Sequence, residues 1–293
     1  MTQANGHLVC LGLGYSAGRI AQRLAADGWR ISGTARTPAG VEAIAASGYD
    51  AFLFDGTQPN AELGAALRDA THILLSAPPG IDGDPLLVQH RADLEHAPNL
   101  KWIGYLSTLG VYGNSDGEWI DETTPPRATS ARGQRRIASE AEWLAFGKRI
   151  GATAQVFRLA GIYGPGRSAI ERMREGTAHR IIKPGQVFNR IHVDDIAAVV
   201  CAAIERGTHD IYNVADGEPS PPQDVITYAA ELLQMPPPPE VPFEEADLSP
   251  MAISFYADNR RVSNRRIREA LGVELKYPNY REGLRAIVSG ASV

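Results

Sequence analysis

Gly12-Leu13-Gly14-Tyr15-Ser16-Ala17 follows a short apolar run, His7 to Leu11, and precedes a stretch with Ile20 and Leu24 on one helical face. The form is G-x-G-x-x-A. These residue types at this spacing suit one chemistry, the holding of a pyrophosphate against main chain. Gly12 permits a sharp turn out of a strand. Gly14 lacks a side chain, so phosphate oxygens can approach the backbone. Ala17 is small enough for helix and strand to pack closely. The amides of Tyr15, Ser16 and Ala17, which open the helix, then point at the phosphates. The bland alternative is a glycine turn that binds nothing; a strand directly before it and a helix directly after it argue for the site.

Other residues could extend that chemistry. Arg36 follows a second strand, Trp29 to Thr34, where an acid would meet a ribose 2′-hydroxyl. An arginine instead suits a 2′-phosphate, which favours NADP over NAD, unless Arg36 is a plain surface residue on a turn. Ser76, Ala77 and Pro78 end a further strand and read as cofactor wall or as simple loop. Thr108 ends the strand from Lys101; its hydroxyl could hydrogen-bond a substrate carbonyl, and with no base in view it is not a nucleophile. Arg132 and Arg136 lie one helical turn apart and share a face. They could bind phosphate or carboxylate groups, or form a solvated basic face. His192, between Ile191 and Val193, reads as a core histidine, with Asp194 and Asp195 as the cap of the next helix.

The elements that must position these residues alternate along the first two-thirds of the chain. Strands are expected at 50–54, 72–76, 101–106 and 154–159, with helices at 61–69, 85–96 and 130–150. That rhythm implies an α/β fold, a doubly wound parallel sheet of Rossmann type with helices on both faces. Residues 1–163 are expected to form the dinucleotide-binding domain, with strand 211–214 returning to it. Residues 164–293 are expected to form mostly a smaller substrate lobe, with helices at 169–176, 194–206, 221–233, 264–271 and 280–288. Pro236 to Pro239 reads as a loop, and Glu240 to Asn259 as irregular.

Composition narrows the class. The 293 residues are 44% hydrophobic with a net charge of −5, which argues against nucleic-acid binding. Met1 to Gly6 carry no basic segment before an apolar run, and no stretch is long enough to span a bilayer, so a cytoplasmic protein is expected. Cys10 and Cys201 lack metal-ligand spacing and read as reduced core residues; no metal site is expected.

Several segments together resemble extended short-chain dehydrogenases/reductases of the NAD-dependent epimerase/dehydratase type. Besides the glycine turn they are Ser107-Thr108-Leu109-Gly110-Val111-Tyr112-Gly113, Arg158 to Gly166 with its Tyr163-Gly164-Pro165-Gly166, Asn189 to Ala197, and Tyr212-Asn213-Val214. The resemblance implies that Ser107 lines the cofactor site, that Thr108 matches the catalytic Ser/Thr, and that Asp55 contacts adenine. Asp55 could equally be a residue that opens the turn before Gly56. The departure is as informative. The family's Tyr-x-x-x-Lys falls on Arg132 and Arg136, and no tyrosine occurs between Tyr112 and Tyr163. An arginine stays protonated and cannot shuttle the proton a phenol exchanges. The chain is therefore similar to the atypical, YeeZ-like branch in which this pair is eroded.

Two functional classes follow. One is an NAD(P)-dependent oxidoreductase or epimerase acting on a small polar, nucleotide-sugar-like substrate, with Thr108, Arg132 and Arg136 near the chemistry. The other is a dinucleotide-binding sensor without turnover. Both expect a small-molecule partner, no membrane or nucleic-acid partner, and leave a homo-oligomer open.

Overall fold

The computed structural model describes residues 5–206 and 210–290; Met1 to Ala4, on which the expected lack of a leader partly rests, lie outside the described residues. In chain order the elements are β1 (His7–Leu11), α1 (Tyr15–Ala26), β2 (Arg30–Ala35), α2 (Pro38–Ala46), β3 (Asp50–Leu53), α3 (Ala61–Asp69), β4 (His72–Leu75), α4 (Pro85–Glu95), β5 (Trp102–Thr108), β6 (Trp119–Ile120), α5 (Ala131–Ile150), β7 (Thr153–Leu159), β8 (Gly161–Tyr163), α6 (Ala169–Arg174), β9 (Arg180–Ile182), β10 (Arg190–His192), α7 (Val193–Arg206), β11 (Asp210–Val214), α8 (Pro222–Leu232), β12 (Glu240–Pro242), α9 (Pro250–Ala257), β13 (Arg261–Val262), α10 (Arg265–Leu271) and α11 (Tyr280–Ser289).

Seven strands form one parallel sheet in the order β11-β7-β5-β4-β1-β2-β3. β1 is buried along its whole length, as a strand covered on both faces must be. Its neighbours are β2 on one side and β4 on the other, with Val9 opposite both Ser32 and Ile73. The strand order therefore reverses next to β1, and in doubly wound sheets ligands bind beyond the carboxyl ends of the strands at that point. The doubly wound α/β fold read from the sequence is the fold observed.

By backbone proximity the chain forms two compact units, and it passes between them more than once. The first holds the residues up to Val111, Thr129–Arg158 and Ala197–Tyr212; the second holds Tyr112–Ala128, Leu159–Ile196 and the residues from Asn213 onward. The first unit packs Val9, Leu11, Ile73, Ile103, Trp143 and Val156 into a continuous core. The second packs Ile170, Met173, Ile226, Tyr280 and Leu284 into its own. Cys10 and Cys201 are both buried and unbridged.

Two helices were not legible from periodicity. α2 falls in a segment given no element, and α9 and β12 fall in the stretch expected to be irregular. Both helices open on a hydroxyl residue followed by proline. Thr37 accepts from the amide of Gly40 ahead of Pro38, and Ser249 accepts from Ala252 ahead of Pro250. That pair is a start signal, because the hydroxyl caps a free amide and proline needs none. The helices bury one residue each, Ile44 and Tyr256, so neither carries an apolar stripe. Asp194 and Asp195 are corrected too: α7 starts at Val193, so both lie in its first turn and neither precedes it.

Candidate functional site

The turn from β1 into α1 has the geometry that its residue types require. Gly12 has φ +80°, a backbone conformation that side chains rarely adopt. A Cβ on Gly14 would meet nothing within 4 Å, so the bare main chain faces open space. Gly14 is also the N-cap of α1 and supplies no side-chain bond to the first turn, which contains no acid. A helix start of that kind favours an anion through its amides and its dipole. Ser16 and Ala17 are buried, Tyr15 is on the surface, and Ala17 lets α1 sit against the sheet.

Thr34 holds this turn in place. Its hydroxyl accepts from the amide of Gly12 at 2.8 Å, and its carbonyl accepts from Leu13 at 3.0 Å. Sequence reasoning treated Thr34 only as a strand end. On the β4 side, the amides of Ser76 and Ala77 both donate to the carbonyl of Leu11, at 2.9 and 3.0 Å. Ala77 therefore lies beside Gly12, with Pro78 exposed next to it. Gly12, Gly14, Ser76 and Ala77 are thus gathered around the carboxyl ends of β1 and β4.

Arg36 is exposed just past β2 and makes no ion pair among the described residues. Asp55 is exposed two residues past β3. It accepts from both the amide and the hydroxyl of Thr57, at 2.9 and 2.7 Å, and these bonds hold its carboxyl below the usual range. The geometry is that of a turn-opening aspartate, whatever else Asp55 touches.

At the end of β5 the two candidate hydroxyls differ. Ser107 is buried and donates to Glu140 Oε1 at 2.5 Å. Glu140, on α5, is in turn held by Arg158 of β7, with Nη2 to Oε2 at 2.7 Å. Thr108 is half-buried, and its Oγ1 accepts from the amide of Gly110 at 3.1 Å. Its hydroxyl hydrogen is the part left to offer.

The two arginines also differ, although they share a helix and a spacing. Arg132 is exposed, as a solvated basic face requires. Arg136 is buried, its Nη1 donating to the carbonyl of Leu106 at 2.8 Å and meeting the Tyr105 hydroxyl at 3.3 Å. It is neither a solvated residue nor a free cation. Burial pushes the Tyr105 phenol up to about 12, so it stays neutral beneath Arg136.

In the second unit, Tyr112 donates to Asn213 Oδ1 at 2.8 Å and is buried. His192 is fully buried, accepts at Nδ1 from the Asp194 amide, and packs against the Tyr277 ring at a tilt of 51°, with the centroids 4.1 Å apart. Asp195 accepts from the amides of Lys276 and Tyr277 at 2.7 and 3.0 Å. All three residues have architectural partners.

A parallel seven-stranded sheet whose first strand turns through bare glycines into a helix defines a Rossmann-type α/β protein. The model of the NAD-dependent epimerase/dehydratase family matches residues 93–215. YeeZ from Escherichia coli K12 is 29% identical over 287 residues, covering 92% of this chain and 95% of its own. A functionally unknown conserved protein from Silicibacter pomeroyi DSS is 49% identical with a TM-score of 0.88, covering 99% of this chain and 100% of that one. Residues 93–215 thus carry a match to an NAD-dependent epimerase/dehydratase domain, in a chain similar to YeeZ over nearly its whole length. UDP-glucose 4-epimerase from Thermus thermophilus, in complex with NAD, shares the fold at 22% identity and a TM-score of 0.75, covering 97% of this chain and 98% of its own. No helix among the described residues is long and apolar enough to cross a membrane.

Proposed function

We propose that the chain binds NADP(H) at the β1–α1 turn and is an oxidoreductase or epimerase-type enzyme for a small polar, nucleotide-sugar-like substrate in the cytoplasm. The observation that carries this reading is the open space against the main chain of Gly14 at an uncapped, acid-free helix start. NAD in the related Thermus epimerase supports a dinucleotide here, and Arg36 favours the 2′-phosphorylated form.

Gly12, Gly14, Tyr15, Ser16 and Ala17 would hold the pyrophosphate, with Ser76, Ala77, Pro78 and Ser107 along the wall and Asp55 toward the adenine. When bound, the nicotinamide supplies the hydride. The chain's own part would be Thr108, whose hydroxyl hydrogen is available to polarise a substrate oxygen because Oγ1 already accepts from Gly110. Arg136 cannot give up a proton and is engaged with Leu106, so the proton would come from water. That same engagement favours a second reading, a dinucleotide sensor without turnover. Turnover separates the two: net loss of nicotinamide absorbance with a carbonyl substrate marks an oxidoreductase, and conversion of a sugar nucleotide to its epimer without net absorbance change marks an epimerase, whereas a sensor gives neither.

Gly14→Val tests the common core of both readings. Gly14 has a negative φ of −95°, and a Cβ added there would meet no atom within 4 Å. The variant should fold with an unchanged Tm and lose NADPH binding in calorimetry. A parent-like affinity in that variant removes the site.

A further inference from the structure

The dipeptide Asp-Gly occurs five times in the chain, opening at Asp27, Asp55, Asp82, Asp116 and Asp216. Such a pair can rearrange without an enzyme. The glycine amide nitrogen attacks the aspartate Cγ, a C–N bond forms, and a carboxyl oxygen leaves as water. Glycine helps because it has no Cβ to crowd the approach. Water then opens the five-membered imide at either carbonyl. One product is the original aspartate. The other is isoaspartate, in which Cβ joins the main chain and the α-carboxylate becomes the side group. One water leaves and one enters, so the atoms balance. Two freedoms are needed: an amide that donates to nothing else, and a carboxyl able to turn back onto it.

The fold sorts the five pairs. Gly28 donates to the carbonyl of Ala25 at 3.0 Å, Gly117 to that of Asn259 at 3.0 Å, and Gly217 to that of Pro278 at 2.9 Å. Those three amides are occupied. Asp216 is buried as well, and Asp116 Oδ1 accepts from Asn114 at 2.6 Å. Gly56 donates to no described residue, but the Asp55 carboxyl is held on Thr57, accepting from its amide and hydroxyl at 2.9 and 2.7 Å. These bonds also keep Asp55 ionised to lower pH, and the neutral acid is the form that loses water. Asp82 differs on both counts. Its exposed carboxyl bonds to no described residue, and neither does the amide of Gly83.

We propose that Asp82 is a site of isoaspartate formation, set apart from the other four by its unbonded carboxyl and the unbonded amide of Gly83. The loop that carries it is short and pinned at both ends. On the β4 side Ala77 donates to the carbonyl of Leu11 at 3.0 Å. On the α4 side Asp84 caps the helix, accepting from Leu86 at 3.0 Å. Between them the amide of Gly80 donates to the carbonyl of Gly83 at 2.8 Å, and Gly83 sits at φ +117°. The extra main-chain carbon of isoaspartate must be absorbed inside that turn, beside Pro78. Weaker NADPH binding by the rearranged chain follows. That consequence rests on the proposed function; the rearrangement itself does not.

The test is warm incubation of the full chain at neutral pH. Digestion then uses a protease that cuts before aspartate and not before isoaspartate, and mass spectrometry reads the fragments. Asp82 should convert at least about tenfold faster than each of the other four, since each of those must first give up a hydrogen bond. In urea those bonds are gone, and the five rates should converge. The incubated fraction that carries isoaspartate at position 82 should bind NADPH at least about threefold more weakly than fresh chain. Asp82→Ser has no carboxyl to attack and should keep its NADPH affinity through the same incubation. Absence of isoaspartate at position 82, equal rates in the folded chain, or a lead for Asp82 that persists undiminished in urea overturns the proposal. Rearranged chain that binds NADPH like fresh chain would take this loop off the cofactor wall. Isoaspartate at position 82 in a chain that never binds NADPH would sink the proposed function and leave the modification site standing.

Discussion

Arg36 is exposed past β2 with no acidic neighbour bonded to it among the described residues. An acid there would accept from a ribose 2′-hydroxyl and repel a 2′-phosphate; a guanidinium does the reverse. Arg36→Ala should therefore weaken NADPH by roughly ten- to a hundredfold and NADH by far less, read by calorimetry at fixed salt. Equal losses for the two cofactors would return Arg36 to the surface. At this scale the glycines were legible because a turn through positive φ and a bare phosphate seat each demand a residue type. Thr34 was not. Its bond to Gly12 depends on the register of β1 against β2, which no local pattern encodes. The burial of Arg136 was hidden for a related reason. The face that α5 buries carries Gly133, Arg136, Ser139 and Glu140 ahead of Trp143, so its polar residues mask the apolar period that would have marked it.

α5 is joined to two strands by a polar contact in place of an apolar one. Ser107 of β5, Glu140 of α5 and Arg158 of β7 form a buried chain, with both charged side chains almost wholly out of solvent. Such a pair adds little over a well-packed apolar core, but removing one partner strands a buried charge. Glu140→Gln keeps the shape and removes the carboxylate with which Arg158 pairs. It should cost about 3–5 kcal/mol in urea unfolding, and a Glu140→Leu, Arg158→Met double variant should cost clearly less than that single change. A loss under about 1 kcal/mol for Glu140→Gln would mean that water relaxes around Arg158. The elements themselves were largely legible, since seven alternating segments point to a parallel sheet. α2 and α9 escaped because each buries a single side chain, and their Thr-Pro and Ser-Pro starts were the remaining signal.

The pH response of the whole molecule follows from buried groups that pull in opposite directions. Burial and Lys101 hold His72 down at about 4, against an ordinary 6.5. The unfolded chain takes up that proton first, so its contribution is present above about 6.5 and is lost as pH falls toward 4. Asp195 and Asp216 do the opposite. Burial raises them from 3.8 to about 6 and about 8, so the folded chain keeps protons that the unfolded chain has released. Their contribution is complete below 3.8 and is lost as pH rises through about 6 and about 8. Between about pH 6.5 and 8, His72 and Asp195 have largely finished changing and Asp216 has not. Stability should fall there by up to about 1.4 kcal/mol per pH unit. Asp216 faces Arg190 from β10, Glu218 from its own turn, Asp195 from α7 and Tyr163 from β8. Its Oδ1 accepts from the Glu218 amide at 3.1 Å, a bond that an asparagine oxygen can keep, and its Oδ2 is buried without a partner. Asp216→Asn should therefore flatten the urea midpoint across this window and exceed the parent in stability at pH 8. A variant that is less stable than the parent at pH 8 would show that attraction to Arg190 outweighs burial and that the carboxylate is charged in the folded chain.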